Sequence, residues 1–217
     1  MSKKDMIIDT LEIVAKTAIS AIPVGGPLAT AIYDTVKENA LAQRQKKWMA
    51  EIEQRIAKTE ETLESIGNNQ LFTTALLKAT ELAIKSAKDE KIKYLANAVV
   101  NSLNADLDEE KLIIFLNLLE KYTVSHIKII NFFNDPTRFE GVPSSQYMMG
   151  SPSIILFQVY PELDNYLFDK IYNDLYVDGM VSLEHLKTSM TGRGMVAKRT
   201  TELADDFLQF IMADAND

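Results

Sequence analysis

The stretch PELDNYLFDKIYNDLYVDGMVSL, residues 161–183, contains the pattern that decides the fold of the C-terminal half. Pro161 suits the first turn of a helix. The apolar residues that follow recur at helical spacing and are predicted to face inward: Leu163, Leu167, Ile171, Leu175 and Tyr176. Asp178 and Gly179 predict that this helix ends in a left-handed cap, and residues 180–183 then predict a short strand.

The elements on either side of this stretch complete the pattern of a small domain. Upstream, Thr123 predicts the N-cap of a helix, and residues 154–159 form a short apolar element. Downstream, residues 191–194 predict a turn, residues 195–197 an extended segment, and residues 200–203 the cap of a final helix. Helices, a small hairpin and a closing helix in this order are typical of a winged helix.

The N-terminal half predicts a helical hairpin that continues into a bundle. A first stripe of apolar residues covers residues 5–22, a Pro- and Gly-containing break follows at 22–27, and the stripe resumes at Leu28. A longer helix is predicted through Ala40 to Ile66, since no breaker precedes Gly67. Asp108 predicts the N-cap of a later helix, and residues 111–122 of that helix are apolar nearly all round, so it is predicted to be central and buried.

The later part of that helix carries a seam of residues spaced close to a heptad: Trp48, Ile52, Ile56, Thr59, Leu63 and Ile66. A single seam of this length usually packs against a neighbouring helix, so we expect it to pack within the chain. The alternative is a homo-oligomer in which two copies pair through the 48–66 helix.

We therefore expect a mainly α protein, with an N-terminal helical bundle or hairpin and a winged-helix-like C-terminal domain that holds a small β-hairpin. The predicted domains are residues 1–104 and residues 105–217, the second with an inserted loop at 134–153.

Charge is distributed unevenly along the 217 residues, whose net charge is −8. Residues 1–104 carry 14 basic and 13 acidic side chains, whereas residues 105–217 carry 9 and 18. The half that is predicted to resemble a DNA-binding fold is thus the acidic one, and repulsion by phosphates weighs against nucleic acid as its partner.

The composition narrows the classes of chemistry. The chain has no cysteine, which excludes disulfides, thiolate nucleophiles and cysteine-based zinc sites and suits a reducing cytoplasm. The uncharged stretch at residues 17–33 is interrupted by Pro and Gly, so no spanning helix is predicted. The start of the sequence does not read as a signal peptide. We expect a cytoplasmic protein, with membrane association as the alternative.

No catalytic motif is present. The sequence has no nucleophile elbow, phosphate-binding loop or dinucleotide fingerprint. Its two histidines, His126 and His185, lack a second ligand at metal-binding spacing. We expect no enzymatic activity, no catalytic residue, no cofactor and no metal.

Three groups of residues are candidate contact sites. The first is a basic group around the predicted glycine turn that fits nucleic acid, consisting of Arg193, Lys198 and Arg199. The helix that would enter a DNA groove, however, contains four acidic residues and one lysine within 162–174, so a protein partner is favoured over DNA.

The second group is apolar residues of the long loop, which fit a protein partner: Phe139, Tyr147, Met148 and Met149. The third is apolar residues of the N-terminal hairpin, which fit a membrane, a partner or burial in the bundle: Ile19, Ile22, Val24, Leu28 and Ile32.

The order of several short motifs resembles bacterial proteins of the Abi-alpha family, which are linked to abortive infection and phage resistance. The resemblance rests on the break at 22–27 and on three later segments, Tyr94-Leu95-Ala96-Asn97-Ala98, residues 118–126 and residues 201–208. The chain departs from the pattern at Ala204, where the family has glycine.

The resemblance implies a defence role and supplies no catalytic residues. We expect a non-catalytic component of a bacterial defence or stress system that acts by binding another protein. The alternatives are a membrane-acting effector that uses the N-terminal hairpin and a winged-helix DNA-binding regulator.

Overall fold

The computed structural model describes residues 40–59, 61–104, 106–140, 142 and 149–212. The chain divides into two units, the first formed by Met1–Lys121 with Phe210–Asp217 and the second by Tyr122–Gln209. The sequence placed a boundary after residue 104, so residues 105–121 and the C-terminal residues lie in the other unit from the one predicted.

Five helices make up most of the described part of the first unit. They are α1 (Ala42–Ile56), α2 (Leu63–Asn68), α3 (Gln70–Lys85), α4 (Asp89–Asn101) and α5 (Glu109–Lys121). Helix α3 packs against α1, α4 and α5, and α1 also packs against α4. Ala75, Ala79 and Ala83 are fully buried along one face of α3, and their small side chains allow the neighbouring helices to approach closely.

Four residues of the predicted seam are buried inside the first unit: Trp48, Ile52, Ile56 and Ile66. Trp48 and Ile52 on α1 have no exposed surface, and Ile66 on α2 is also buried. The observed burial favours packing within the chain over pairing of two copies through these residues.

The prediction of one helix from Ala40 to Ile66 is wrong, because α1 ends at Ile56. The Thr59 hydroxyl donates to the carbonyl of Ile56 over 2.8 Å. The Thr62 hydroxyl then accepts from the Ser65 amide over 3.1 Å and caps α2. Two threonine side chains thus satisfy backbone groups that a continuous helix would pair.

Helix α5 is amphipathic, not buried all round as its apolar sequence predicts. Leu112, Phe115 and Leu119 are buried, whereas Ile113 and Ile114 are exposed. Its predicted cap is confirmed, since the Asp108 carboxylate accepts from the Lys111 amide over 2.7 Å.

Side-chain amides of α4 bind the C-terminal carbonyls of the last helix. Asn97 Nδ2 donates to the carbonyl of Ile211 over 2.9 Å, and Asn101 Nδ2 donates to those of Phe210 and Met212 over 3.0 and 3.2 Å. Helix ends leave such carbonyls without helical partners, so these bonds fix the last turn within the first unit.

The second unit contains the remaining elements. They are α6 (Val124–Asn134), a 3-10 turn (Pro136–Arg138), β1 (Met149–Gly150), α7 (Pro152–Val159), α8 (Asn165–Val177), β2 (Met190–Thr191), α9 (Gly192–Met195) and α10 (Glu202–Ile211), whose last two residues belong to the first unit. Strands β1 and β2 are antiparallel, with Met149 opposite Thr191 and Gly150 opposite Met190. The expected mainly helical fold with a small sheet is confirmed.

The sheet differs from the predicted hairpin. The predicted strand at 180–183 is reduced to an isolated bridge between Val181 and Thr200. The predicted turn and extended segment at 191–197 are wrong, because Gly192–Met195 forms a short helix capped by the Thr191 hydroxyl. A hydroxyl that accepts from the Gly194 amide closes a helical turn where glycines predicted a hairpin turn.

We predict that the bond between Trp48 and Thr80 stabilises the first unit. Trp48 Nε1 donates to Thr80 Oγ1 over 3.0 Å, and both residues are fully buried. Thr80→Val leaves the indole N–H without an acceptor, so we expect a loss of about 1–3 kcal/mol in the free energy of unfolding by urea.

The matched control is Thr74→Val on the same helix, where no side-chain bond is lost and the change stays within about 0.5 kcal/mol. Equal effects of the two substitutions would contradict a stabilising bond. In Trp48→Phe, adding Thr80→Val should cost less than it does in the wild type.

Candidate interaction surface

Helix α8 has an exposed stripe on the face opposite the one it buries. Tyr166 is 89% exposed and Val177 is 71% exposed, with Lys170 and Asn173 between them at helical spacing. We call these four residues the α8 stripe. Tyrosine is enriched in surfaces that bind other proteins, which makes the exposed Tyr166 the main feature of this stripe.

The opposite face of α8 fixes how the stripe is presented. Phe168, Tyr172 and Leu175 are buried, and Tyr172 also donates to the carbonyl of Leu183 over 2.5 Å. Sequence reasoning chose Leu167 and Tyr176 as inward residues, but both are exposed. Phe168, Tyr172 and Leu175 also recur at helical spacing in the sequence. This second apolar pattern predicts the observed buried face, and the α8 stripe lies opposite it.

Both ends of α8 are held by caps. The Asp164 carboxylate accepts from the Tyr166 amide over 2.7 Å. At the other end Gly179 adopts φ 72°, and the Met180 amide donates to the carbonyl of Leu175 over 2.8 Å. This is the predicted left-handed cap, and it is confirmed.

Acidic side chains flank the α8 stripe, and each has a basic partner. Asp169 binds Lys187 over 2.6 Å, and Asp174 binds Lys170 over 2.5 Å. The face is therefore apolar at its two ends and close to neutral between them. Such a surface suits a protein partner better than a phosphate backbone.

The structure does not present the three predicted nucleic-acid residues as one basic surface. Arg193 is exposed, but Lys198 binds Asp205 over 2.6 Å. Arg199 is only 9% exposed and donates through Nη2 to the carbonyl of Gly194. Burial lowers the pKa of Arg199 from its ordinary value. The Arg199 side chain is thus part of the interior of the second unit.

The backbone of Arg199 joins further parts of that interior. Its amide donates to the carbonyl of Phe133, and its carbonyl accepts from the Ser182 amide, each over 2.8 Å. The residue thus links α6 to the segment after α8, which explains why it is buried although its sequence context is basic and glycine-rich.

The predicted partner loop is divided between packing and exposure. Phe139 lies against Phe132 and Tyr160, with ring centroids 5.6 and 5.8 Å away, and the Arg138 guanidinium lies over its ring. Met149 on β1 is exposed. Tyr147 and Met148 lie outside the described residues.

The predicted hairpin contacts, Ile19, Ile22, Val24, Leu28 and Ile32, lie outside the described residues. Within the part of the chain that the structure describes, no helix is long and apolar enough to cross a membrane. That same part holds no group of three or more histidine, aspartate or glutamate side chains placed to bind a metal ion.

Lys91 is a buried base in the first unit. Burial lowers the pKa of Lys91 to about 8, although the charge of Glu120 acts in the opposite direction. Its Nζ donates to the carbonyl of Leu119, in the last turn of α5. A lysine at the C-terminal end of a helix complements the helix dipole, so its position has a structural explanation.

Comparison with models of protein families, with curated proteins and with solved structures gives no match to this chain.

We predict that replacing Arg199 destabilises the second unit, whereas replacing Arg193 does not. Arg199→Ala removes a buried stem and leaves the Gly194 carbonyl without its donor, so we expect a loss of about 1–3 kcal/mol. Arg193→Ala at an exposed position should change the free energy of unfolding by about 0.5 kcal/mol or less. Urea denaturation of both variants measures this, and equal losses would contradict the structural role of Arg199.

We predict that Lys91 makes the first unit more stable at alkaline pH. An unfolded lysine keeps its proton to about pH 10.4, whereas the folded residue, with a pKa of about 8, releases it earlier. The unfolded state therefore binds more protons between these values, and the free energy of unfolding should rise by about 2 kcal/mol from pH 8 to pH 10.

Lys91→Met is the control for that rise, since other alkaline groups titrate equally in both proteins. Urea denaturation at pH 7.5, 8.5 and 9.5 should show a rise in the wild type that the variant lacks. Parallel curves would show that Lys91 is not the group responsible.

Proposed function

We propose that the chain is a non-catalytic component of a bacterial defence or stress system that works by binding another protein. The second unit is the binding module in this proposal, and α8 is its contact helix. The resemblance of the sequence motifs to Abi-alpha proteins supports the defence context, and the absence of cysteine fits a cytoplasmic setting.

The order of elements in the second unit supports a winged-helix-like assignment. Helix α6, strand β1, helices α7 and α8 and strand β2 follow one another, and the first strand pairs with the second. In a winged helix the helix at the position of α8 enters the major groove of DNA. Its solvent face is thus the surface on which binding modules of this kind present their contacts.

The single observation that carries the proposal is the composition of that solvent face. Tyr166 and Val177 are the two most exposed apolar residues of α8, and a tyrosine in such a position is a frequent hot spot in protein interfaces. A helix that reads DNA needs donors for base edges and cations for phosphates. Helix α8 has one lysine, Lys170, and it is paired with Asp174.

We predict that Tyr166→Ala combined with Val177→Asp abolishes capture of the partner. The substitutions remove the aromatic anchor and put a charge at the other end of the α8 stripe, so binding should weaken by at least about tenfold. The measurement is a tagged pull-down from the native host with nuclease treatment, with the protein bound to each variant quantified by mass spectrometry.

The matched control is Leu77→Asp on α3, another exposed apolar position of the described chain, at 51% exposure. A partner that wild type and Leu77→Asp retain in stoichiometric amounts, and that the α8 variant loses, supports the proposal. A partner retained equally by all three proteins contradicts the role of α8. Recovery of nucleic acid in place of protein, in a parallel pull-down without nuclease, favours the DNA-binding alternative.

A further inference from the structure

His126 lies at the third residue of α6, where it completes a capping box. The Thr123 amide donates to His126 Nδ1 over 3.2 Å, and the Thr123 side chain accepts from the backbone of His126 in return. Glutamate or glutamine usually occupies this position, because each carries an acceptor at any pH above the acid range. A histidine ring can accept from an amide only through a nitrogen that carries no proton.

The cap therefore assigns the tautomer of the ring. An amide N–H can only donate, so Nδ1 must be the acceptor and the ring proton of neutral His126 must lie on Nε2. The Thr123 hydroxyl lies 2.9 Å from the same Nδ1 and is compatible with this assignment, since a hydroxyl can also donate. His126 is only 6% exposed, so water does not replace the cap if it is lost.

The groups around the ring come from α8, from the two residues before α6 and from α10. Nε2 lies 3.7 Å from Oδ2 of Asp174, which also binds Lys170. The Tyr122 ring stacks on the imidazole with centroids 5.0 Å apart and donates its hydroxyl to Asp178 over 2.8 Å. From α10 the ring of Phe207 packs against Tyr122. Asp174 is thus the carboxylate next to the imidazole, and Lys170 is the cation next to that carboxylate.

We propose that His126 is a proton-sensitive helix cap that controls the pairing of Lys170 on the α8 stripe. A proton on Nδ1 removes the acceptor of the Thr123 amide and places a positive charge in the first turn of α6, where the helix dipole disfavours it. The imidazolium also competes with Lys170 for the carboxylate of Asp174. Lys170 then presents an unbalanced positive charge in the middle of the stripe.

The two parts of this inference have different premises. The cap follows from the contacts of His126 alone. Control of binding rests on the proposed function, because it needs the α8 stripe to be the contact surface. The tests below use the full chain without a partner, so they can fail or succeed independently of the pull-down.

The first test is the tautomer of His126 in the full chain. Long-range proton–nitrogen NMR spectra should show His126 as the Nε2–H tautomer at pH 7.5. An Nδ1–H tautomer at this pH overturns the cap.

The second test is the pH dependence of stability. An unfolded histidine takes up a proton near pH 6.5, whereas the folded cap needs the neutral ring, so stability should fall as the pH drops through this range. From pH 7.5 to 5.5 the Tm of the wild type should fall by about 3 °C or more beyond that of His126→Gln, whose amide caps without titrating. An equal fall in the wild type and in His126→Gln overturns the inference.

The third test follows the carboxylate that joins the cap to the stripe. The side-chain carbon signal of Asp174 in the NMR spectrum should move with the same midpoint as the ring signals of His126, and this movement should be absent in His126→Gln. If the Asp174 signal does not change while His126 titrates, His126 does not control the pairing of Lys170. If His126→Gln does not fold, the tautomer and the Asp174 signal of the wild type decide the matter.

Discussion

The rotation of α8 about its own axis decides what the second unit presents to its surroundings. Successive residues of a helix are about 100° apart, so a change of one residue in the buried set would expose Phe168 and turn Leu167 or Asp169 inward. Burial of Phe168, Tyr172 and Leu175 prevents that change, and the caps at Asp164 and Gly179 fix both ends. The α8 stripe is thus a consequence of how the core packs, because the residues that face inward leave a tyrosine and a valine on the other side.

Two buried cations show a common arrangement in the two units. Lys91 and Arg199 each donate to a backbone carbonyl, that of Leu119 and that of Gly194 respectively. Burial lowers the pKa of both side chains, which means that each charge costs stability where it lies. A backbone carbonyl accepts a hydrogen bond from the cation, as a carboxylate does, but it adds no second charge to the interior. The cationic groups therefore anchor the ends of local elements, and they are not displayed to solvent as the sequence suggested for Arg199.

Local chemistry made part of the fold predictable. The caps at Asp108, Thr123 and Asp178–Gly179 depend on residues within one helical turn, and each is observed where the sequence placed it. The helical character of most of the chain also follows from periodicity. The break after Ile56 did not, because it is made by hydroxyls of Thr59 and Thr62 that a continuous helix could equally have pointed to solvent.

The candidate site was predictable only in outline. The sequence identified the helix and its acidic character. Two apolar patterns in it, however, both have helical spacing, and either could face inward. Aromatic packing with α6 and α7 decides which of the two is buried. Phe133 and Phe157 make that packing, with ring centroids 6.0 Å from Tyr172 and 5.0 Å from Phe168. Tertiary contacts of this kind leave no mark in a single sequence.

The position of the only tryptophan gives the two units different optical properties. Trp48 lies in the core of the first unit, while the second unit holds tyrosines and no tryptophan. Emission excited above the tyrosine absorption band therefore reports on the first unit alone, whereas helical circular dichroism reports on both. Heating or denaturant curves from the two signals coincide if the units unfold as one cooperative body and separate if they do not. Trp48 thus reports whether the two units are thermodynamically coupled.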